Sequence, residues 1–156
     1  ILLEDRRKNV ENALERLISQ GVIPVVNEND TVAIDELELE MGENDSLAAV
    51  VATIANADLL IIMSDIDGLY DSDPRQNPDA KMIPVVREIS EDIHAVAGGA
   101  GTKFGTGGMA TKIIAAKLAT RCGADMVIAN GDNIYHINDI LAGEDVGTLF
   151  IASKKK

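Results

Sequence analysis

Residues 46–64 read SLAAVVATIANADLLIIMS, an apolar helical run that leads directly into an apolar strand. Residues 46–57 are typical of a largely buried helix, and Asp45 stands where it can cap the helix N-terminus. Residues 58–64 are almost continuously apolar, which is typical of a strand covered on both faces in a parallel sheet. A buried helix followed by such a strand indicates an α/β protein.

Helical and strand patterns alternate along the rest of the chain. The other predicted helices are residues 5–20, 90–96, 109–122 and 134–142, and the other predicted strands are residues 22–27, 82–86, 125–130 and 148–152. The apolar face of the first helix consists of Val10, Leu14, Leu17 and Ile18. Gly21 follows that helix, where a left-handed C-terminal cap is expected. The alternation favours a mostly parallel sheet, in which ligands bind beyond the carboxyl ends of the strands.

The composition indicates one acidic globular domain. The 156 residues are 46% hydrophobic, which is enough for one domain with its own core. Fourteen basic against 26 acidic residues give a net charge of -12, and the aromatic residues are two Tyr and two Phe. Nucleic-acid binding needs a basic face or stacking platforms, so we expect no nucleic-acid partner. A small anionic substrate would need locally concentrated donors and a divalent cation.

The single cysteine and the hydropathy of the chain indicate the cellular compartment. Cys122 is the only cysteine, which excludes an internal disulfide and a thiolate metal cluster and fits a reducing compartment. No apolar run reaches the roughly 18 residues of a membrane span, and no signal peptide opens the chain. We therefore expect a cytoplasmic protein without a membrane partner. The lysine-rich residues 152–156 are expected to form a solvated tail after a domain of residues 1–151.

The glycine-rich stretch GTGGMATK at residues 105–112 precedes a helical run and has the composition of a phosphate-binding segment. Glycines let backbone N–H groups approach a ligand, and the unpaired N–H groups of the next helix point at the same place. Lys112 adds a positive charge, and Thr106 and Thr111 add hydroxyl donors. The alternative is a loop that only enters a helix, since the pattern is neither GxxxxGKS/T nor GxGxxG.

Two polar stretches lie between the first predicted strand and the buried helix. NEND at residues 27–30 follows the strand, and it is either an ordinary turn or a ligand for an α-amino group. Asn44 and Asp45 open the buried helix. Asp45 either caps that helix or holds neighbouring lysines in position as a fixed counter-charge, and the two roles do not exclude each other.

SDIDGLYDSDP at residues 64–74 ends the buried strand and carries four aspartates. An EF-hand is excluded, because Gly68 comes directly after the second aspartate and no Glu stands at the twelfth position. The loop is better suited to surround a nucleotide, with Asp65 available for a base or ribose contact. His94 and His136 are isolated from each other and from Cys122, so we interpret them as ordinary surface or packing residues.

Taken together, VIPVVNEND, GENDSLAA, LLIIMSDIDGLYDSDPR and GTGGMATK resemble the glutamate 5-kinases of the amino acid kinase family in order and spacing. The resemblance extends over nearly the whole chain. It implies an α/β/α sandwich of three layers with a mostly parallel sheet. It also implies that the protein uses ATP and Mg²⁺ to phosphorylate the γ-carboxylate of L-glutamate, the first step of proline biosynthesis. Family members form dimers and tetramers and are commonly inhibited by proline. The resemblance therefore implies a homo-oligomer, either a dimer or a tetramer, and feedback inhibition by proline.

The resemblance assigns roles to individual residues. It implies glutamate binding by Asp30 and Asn44, and Asn27 belongs to the same predicted substrate site. Ser64 and Asp65 would contact ATP. The phosphates would be wrapped by Thr106, Gly107, Gly108, Met109, Ala110, Thr111 and Lys112. Asp45 would orient lysines around the transferring group rather than act as a base, since a carboxylate nucleophile is already ionised near neutral pH. We predict that Lys112 and Asp45 are the catalytic residues.

The sequence departs from the family at its start. The glycine-rich first strand of the family, with its own catalytic lysine, would precede Ile1, and the residues that follow Ile1 offer no lysine in a matching context. We therefore expect this chain to be the C-terminal, nucleotide-binding part of the kinase domain and to be inactive alone. Two alternatives stay open: a non-catalytic nucleotide-binding or storage module, and a kinase for another amino acid, carboxylate or carbamate.

Overall fold

A computed structural model of the chain describes residues 2–27, 44–98 and 106–153. The predicted substrate residue Asp30 lies outside the described residues, as do the rest of residues 28–43.

The described helices and strands follow the predicted order, except that residues 22–27 form no strand. The helices are α1 (Leu2–Ser19), α2 (Asn44–Ile54), α3 (Glu91–Gly98), α4 (Thr106–Arg121) and α5 (His136–Ala142). The strands are β1 (Leu59–Ser64), β2 (Val85–Val86), β3 (Asp125–Asn130) and β4 (Thr148–Phe150). The predicted strands at 82–86 and 148–152 are therefore shorter in the structure, because fewer of their residues find a partner strand.

The strands form one sheet in the order β1-β3-β4-β2. β1 and β3 run parallel and in register from Leu59 opposite Asp125 to Ser64 opposite Asn130. β2 and β4 are also parallel, whereas β3 and β4 are antiparallel. The predicted α/β class with a mostly parallel sheet is confirmed. The register brings the carboxyl ends of β1 and β3 side by side, where ligands bind in such sheets.

The core lies between β3 and helices α2 and α4. α2 packs against β1, α4 packs against β3, and the two helices pack against each other on one face of the sheet. The largest fully buried side chains are Leu69, Ile113, Met126, Ile128, Thr148 and Phe150. β1, expected to be covered on both faces, buries Ile62 and half-buries its other residues, whereas β3 is buried from Met126 to Ala129. β3 lies between two strands and beneath α4, whereas β1 is an edge of the described sheet.

The end of α1 is closed by the predicted glycine cap. Gly21 has a φ of +74°. Its N–H donates to the Ile18 carbonyl at 2.9 Å, and the Val22 N–H donates to the Leu17 carbonyl at 3.0 Å, the double pattern of a Schellman motif. Of the predicted apolar face, Leu14 is buried, but Leu17 and Ile18 are exposed.

The predicted strand at residues 22–27 is wrong, because these residues pair with no strand in the part of the chain that the structure describes. Ile23 is 86% exposed and Val25 is 91% exposed. A β-rich composition forms a strand only where a neighbouring strand satisfies its backbone groups.

Among the described residues, no helix combines the length and the apolar composition that crossing a bilayer requires.

Candidate active site

α4 begins at Thr106, three residues before the predicted start at 109. The segment from Thr106 to Gly108 is therefore the first turn of a helix and not part of a loop. The N–H groups of a first helical turn have no acceptor inside the helix, and the first turn of α4 contains no acidic residue. Among the described residues, a Cβ built at Gly108 meets no atom within 4 Å apart from the backbone of its own helix. The turn is thus open, and it offers donors and the positive end of the helix dipole to an anion.

Lys112 places its ammonium group beside this turn. Long helical side chains lean toward the helix N-terminus, and the Lys112 Nζ accordingly lies 3.4 Å from the Gly108 carbonyl oxygen. The Nζ donates a second hydrogen bond to Asp45 Oδ2 at 3.0 Å. An ammonium has three N–H donors, so one is left after these two acceptors. The side chain is only 11% exposed, which restricts the directions in which that donor can point.

Asp45 is the second residue of α2 and joins that helix to α4. Its Oδ2 accepts hydrogen bonds from Lys112 Nζ at 3.0 Å and from Thr111 Oγ1 at 3.1 Å. Of the two expected roles of Asp45, capping α2 and holding a lysine, the described contacts of its carboxylate support the second. A negative charge in the first turn of α2 also interacts favourably with the helix dipole.

The Lys112–Asp45 ion pair is shielded from water, with side-chain exposures of 11% and 15%. Exposed ion pairs contribute about 0–1 kcal/mol, whereas removing one partner of a buried pair leaves an uncompensated charge and costs about 3–5 kcal/mol. This pair lies closer to the buried case. The ammonium is therefore held at a defined position between α2 and α4.

A second polar group lies at the adjacent carboxyl ends of β1 and β3. Ser64 ends β1, and its hydroxyl donates to Asp65 Oδ1 at 3.1 Å. Asn130 ends β3, and its Nδ2 donates to Asp67 Oδ1 at 2.8 Å. Asp65 is exposed, so its carboxylate is accessible to a ligand. The predicted nucleotide residues Ser64 and Asp65 thus lie at the carboxyl end of the parallel strands β1 and β3, beside Asp67 and Asn130, for which the sequence predicted no role.

Asp71 and Asp73 serve local turns rather than a ligand. The Lys81 N–H donates to Asp71 Oδ1 at 2.9 Å, and this hydrogen bond is the main reason that the pKa of Asp71 is lowered from its ordinary value, against a smaller opposing effect of burial. The Arg75 N–H donates to Asp73 Oδ1, and the Gln76 side-chain amide donates to Asp73 Oδ2, both at 2.9 Å. The four aspartates are close in sequence but do not form one cluster of contacts. Asp65 and Asp67 lie at the end of β1, whereas Asp71 and Asp73 accept hydrogen bonds within the turns that follow.

The ionisation of the Tyr70 hydroxyl, which changes its absorbance, reports on the turn that follows β1. Its hydroxyl donates to Asp67 Oδ2 at 3.2 Å. Burial, the negative charge of Asp67 and this hydrogen bond raise the pKa of Tyr70 from its ordinary value of 10.0. Because the folded state holds this proton more tightly, the stabilisation is complete below pH 10.0 and is lost as the pH rises through the folded-state pKa.

We expect the difference between the alkaline absorbance titrations of the parent and of Tyr70→Phe to show a folded-state pKa above 10.0. Asp67→Asn should lower that pKa only part of the way, because burial, the largest cause, remains. Tyr135→Phe, at the other tyrosine of the chain, is the matched control and should leave the Tyr70 transition in place. A Tyr70 transition at the ordinary value in the folded protein would contradict the described contact.

The structure describes two of the three predicted substrate residues. Asn44 is the first residue of α2, is exposed, and stands next to Asp45 in the chain. Asn27 is also exposed and ends the extended segment after α1. Asp30 lies outside the described residues.

The chain matches known proteins along most of its length. Residues 2–130 match the amino acid kinase family. The chain is 55% identical over 153 residues to the glutamate 5-kinase of Clostridium perfringens (strain 13 / Type A), a match that covers 97% of this chain and 57% of that protein. It is 56% identical over 154 residues to the glutamate 5-kinase of Caldanaerobacter subterraneus subsp. tengcongensis, with 96% of this chain and 40% of that protein covered. The chain thus spans about half the length of the curated relatives that it matches.

The fold agrees with that of a solved structure. The crystal structure of UMP kinase from Ureaplasma parvum superposes on 90% of this chain and 52% of its own, with a TM-score of 0.56 and 18% sequence identity. At that identity the likeness concerns the fold alone. Since the family pattern extends from α1 to the last residue of β3, and so includes Asp45 and Lys112, the chain belongs to the amino acid kinase family.

Proposed function

We propose that the complete protein carrying this chain is a glutamate 5-kinase. It would transfer the γ-phosphoryl group of ATP to the γ-carboxylate of L-glutamate, releasing ADP and forming γ-glutamyl phosphate, the first intermediate of proline biosynthesis. The observation that carries the proposal is the shielded Lys112–Asp45 pair beside the open first turn of α4, in a chain that is 55% identical to a glutamate 5-kinase.

The N-terminal turn of α4 is the proposed phosphate site. The backbone N–H groups at the start of α4, from Thr106 to Met109, have no acceptor inside the helix and would donate to the phosphates together with the ammonium of Lys112. The first turn carries no acidic residue that would repel the phosphates. Negative charge moves onto the bridging and leaving oxygens during transfer, and a preorganised cation in a shielded site stabilises that charge more than it would in water.

Asp45 has a positioning role in this proposal. The attacking γ-carboxylate is already ionised near neutral pH and needs no general base. The Asp45 carboxylate instead holds the Lys112 ammonium at 3.0 Å, so that the cation does not have to reorganise during the reaction. Thr111 supports the arrangement by donating to the same oxygen at 3.1 Å.

The remaining predicted residues are assigned around this centre. Ser64 and Asp65, at the end of β1, would contact the nucleoside part of ATP. Asn44, Asn27 and Asp30 would bind glutamate, and the position of Asn44 next to Asp45 supports this assignment. L-glutamate and ATP are the small-molecule partners, while assembly into a homo-oligomer and inhibition by proline stay predictions.

The described residues suit a magnesium ion that is carried by the nucleotide. Within residues 2–27, 44–98 and 106–153, no three His, Cys, Asp or Glu side chains converge on one point. Mg²⁺ keeps several waters and is commonly bound through substrate phosphates, so it would need few ligands from the protein. When bound, the ion would neutralise phosphate charge.

A coupled assay of ADP formation tests the proposal. The complete protein should produce ADP with L-glutamate and ATP, and the product should yield a hydroxamate with hydroxylamine because an acyl phosphate is formed. Aspartate, N-acetylglutamate and carbamate should support little turnover. Binding of ATP without glutamate-dependent ADP formation would reject the kinase, and faster turnover with another acid would reject glutamate as its substrate.

Gly108→Ala is expected to separate folding from nucleotide binding. The added Cβ meets no protein atom within 4 Å, and alanine favours a helix over glycine by up to about 1 kcal/mol, so Tm should stay equal or rise. The methyl group would occupy space that we assign to the phosphates, and KM for ATP should rise about tenfold. Thermal unfolding and steady-state kinetics measure the two effects. An unchanged KM for ATP would contradict the phosphate site.

A further inference from the structure

The chain leaves the sheet after β1 at Asp65. The hydroxyl group of Thr148 joins the two ends of the segment that follows, Leu69 and Ile83. The Ile83 N–H donates to the Leu69 carbonyl at 2.7 Å, which is half of an antiparallel backbone pair. The other half passes through Thr148. The Leu69 N–H donates to Thr148 Oγ1 at 2.8 Å, and the Thr148 hydroxyl donates to the Ile83 carbonyl at 2.7 Å.

The position of Thr148 is set by close contacts on two sides. Thr148 is fully buried and lies opposite Ile128 of β3. Gly147 precedes it with a φ of +69°, and a Cβ at Gly147 would collide with the Ile128 carbonyl oxygen. A Cβ at Gly68 would lie 2.6 Å from Thr148 Oγ1. The backbone at Gly68 therefore lies so close to β4 that only glycine fits there.

A hydroxyl side chain satisfies this position, whereas an apolar side chain of the same shape does not. The group between Leu69 and Ile83 must accept one hydrogen bond and donate another, which Ser and Thr can do and Val cannot. Valine has nearly the shape of threonine but would leave a buried N–H and a carbonyl without their partner. The base of the loop would then be free to separate from β4.

The turn held in this way carries the proposed nucleotide contacts. Residues 65–68 connect β1 to Leu69, so they are fixed by the end of β1 on one side and by Thr148 on the other. On the β1 side, the Gly131 N–H donates to the Ser64 carbonyl at 2.7 Å. Asp67 within the turn accepts from Asn130 at 2.8 Å. Asp65 has no such anchor among the contacts of the described chain except the neighbouring Ser64 hydroxyl.

We propose that Thr148 is a positioning residue of the nucleotide site, which fixes the turn of residues 65–68 so that Asp65 faces the nucleoside of ATP. The proposal rests on the proposed function. Thr148 touches neither substrate: it acts through the backbone of Leu69 and Ile83. Its loss should therefore weaken ATP binding and leave glutamate binding and the Lys112 centre largely intact.

Thr148→Val in the complete protein should raise KM and Kd for ATP about tenfold, equivalent to about 1.4 kcal/mol, with KM for glutamate within about twofold of the parent. Thr148→Ser keeps the hydroxyl and should restore KM for ATP to within about threefold. Thr120→Val is the matched control, because it removes another buried hydroxyl, one that donates to the Ala116 carbonyl within α4. It should leave KM for ATP unchanged.

The titration of Tyr70 reports the turn independently of activity. Tyr70 follows Leu69 and donates to Asp67, so Thr148→Val should shift its alkaline transition while Thr120→Val should not. If Thr148→Val fails to fold, Gly68→Ala tests the same contact from the loop side, where its Cβ would displace Thr148 Oγ1 and Met82 Sδ. It should also raise KM for ATP.

Two results would overturn the positioning role: an unchanged KM for ATP in folded Thr148→Val or Gly68→Ala, or equal damage from Thr148→Ser and Thr148→Val. A parent protein that forms no ADP from ATP and glutamate would instead overturn the proposed function. In that case a shifted Tyr70 transition in Thr148→Val would leave only a structural role for the hydroxyl, and the positioning proposal would fall with the function.

Discussion

Lys112→Ala in the complete protein should lower kcat by about 10²–10³-fold, the usual cost of losing one preorganised donor to a developing negative charge. The Nζ lies beside the first turn of α4, and its side chain is 11% exposed. A cation held there is already desolvated and oriented before the phosphoryl group moves. Losing it removes an interaction that strengthens in the transition state, so kcat should fall more than KM for ATP rises.

The control for this prediction lies on the same helix. Lys117 is exposed on α4, so Lys117→Ala makes the same chemical change away from Asp45 and should leave kcat within about twofold. Circular dichroism and thermal unfolding show whether Lys112→Ala still folds. A folded Lys112→Ala protein with the turnover of the parent would remove Lys112 from the catalytic centre.

Asp45→Asn should lower kcat by about 10²-fold, because a displacement of about 1 Å in a catalytic group can cost that much. The amide can still accept a hydrogen bond from Thr111, but it no longer attracts the ammonium with a full charge. Because the shielded ammonium would then lack a counter-charge, the free energy of unfolding should also fall by about 3 kcal/mol. Steady-state kinetics and denaturant unfolding measure the two effects separately.

A double-mutant cycle decides whether Asp45 acts through Lys112. If the carboxylate only positions the ammonium, Asp45→Asn should have little further effect on kcat once Lys112 is alanine. Asp92→Asn, at an exposed aspartate in the first turn of α3, is the matched control: kcat should not change, and the free energy of unfolding should fall by less than about 1 kcal/mol. Independent, additive losses of kcat would show that Asp45 contributes by a route other than Lys112.

Local patterns predicted most elements of this fold. Helix α1, which is capped by Gly21, and strands β1 and β3 lie where periodicity and capping place them, since each depends on residues close in sequence. The strand predicted at 22–27 failed because a strand needs a partner that its own residues do not specify. The start of α4 was placed too late because three of its first residues seemed suited to a loop, although glycine tolerates a first helical turn.

The sequence by itself determined the α/β class, the order of the motifs and the residue types of the candidate site, because these depend on short-range periodicity and composition. Only the tertiary structure decided which partners those residues take. Asp45 meets a lysine 67 positions away, and Thr148 meets a backbone N–H 79 positions away. Such contacts depend on how α2, α4 and β4 pack on the sheet, and no local pattern encodes that packing.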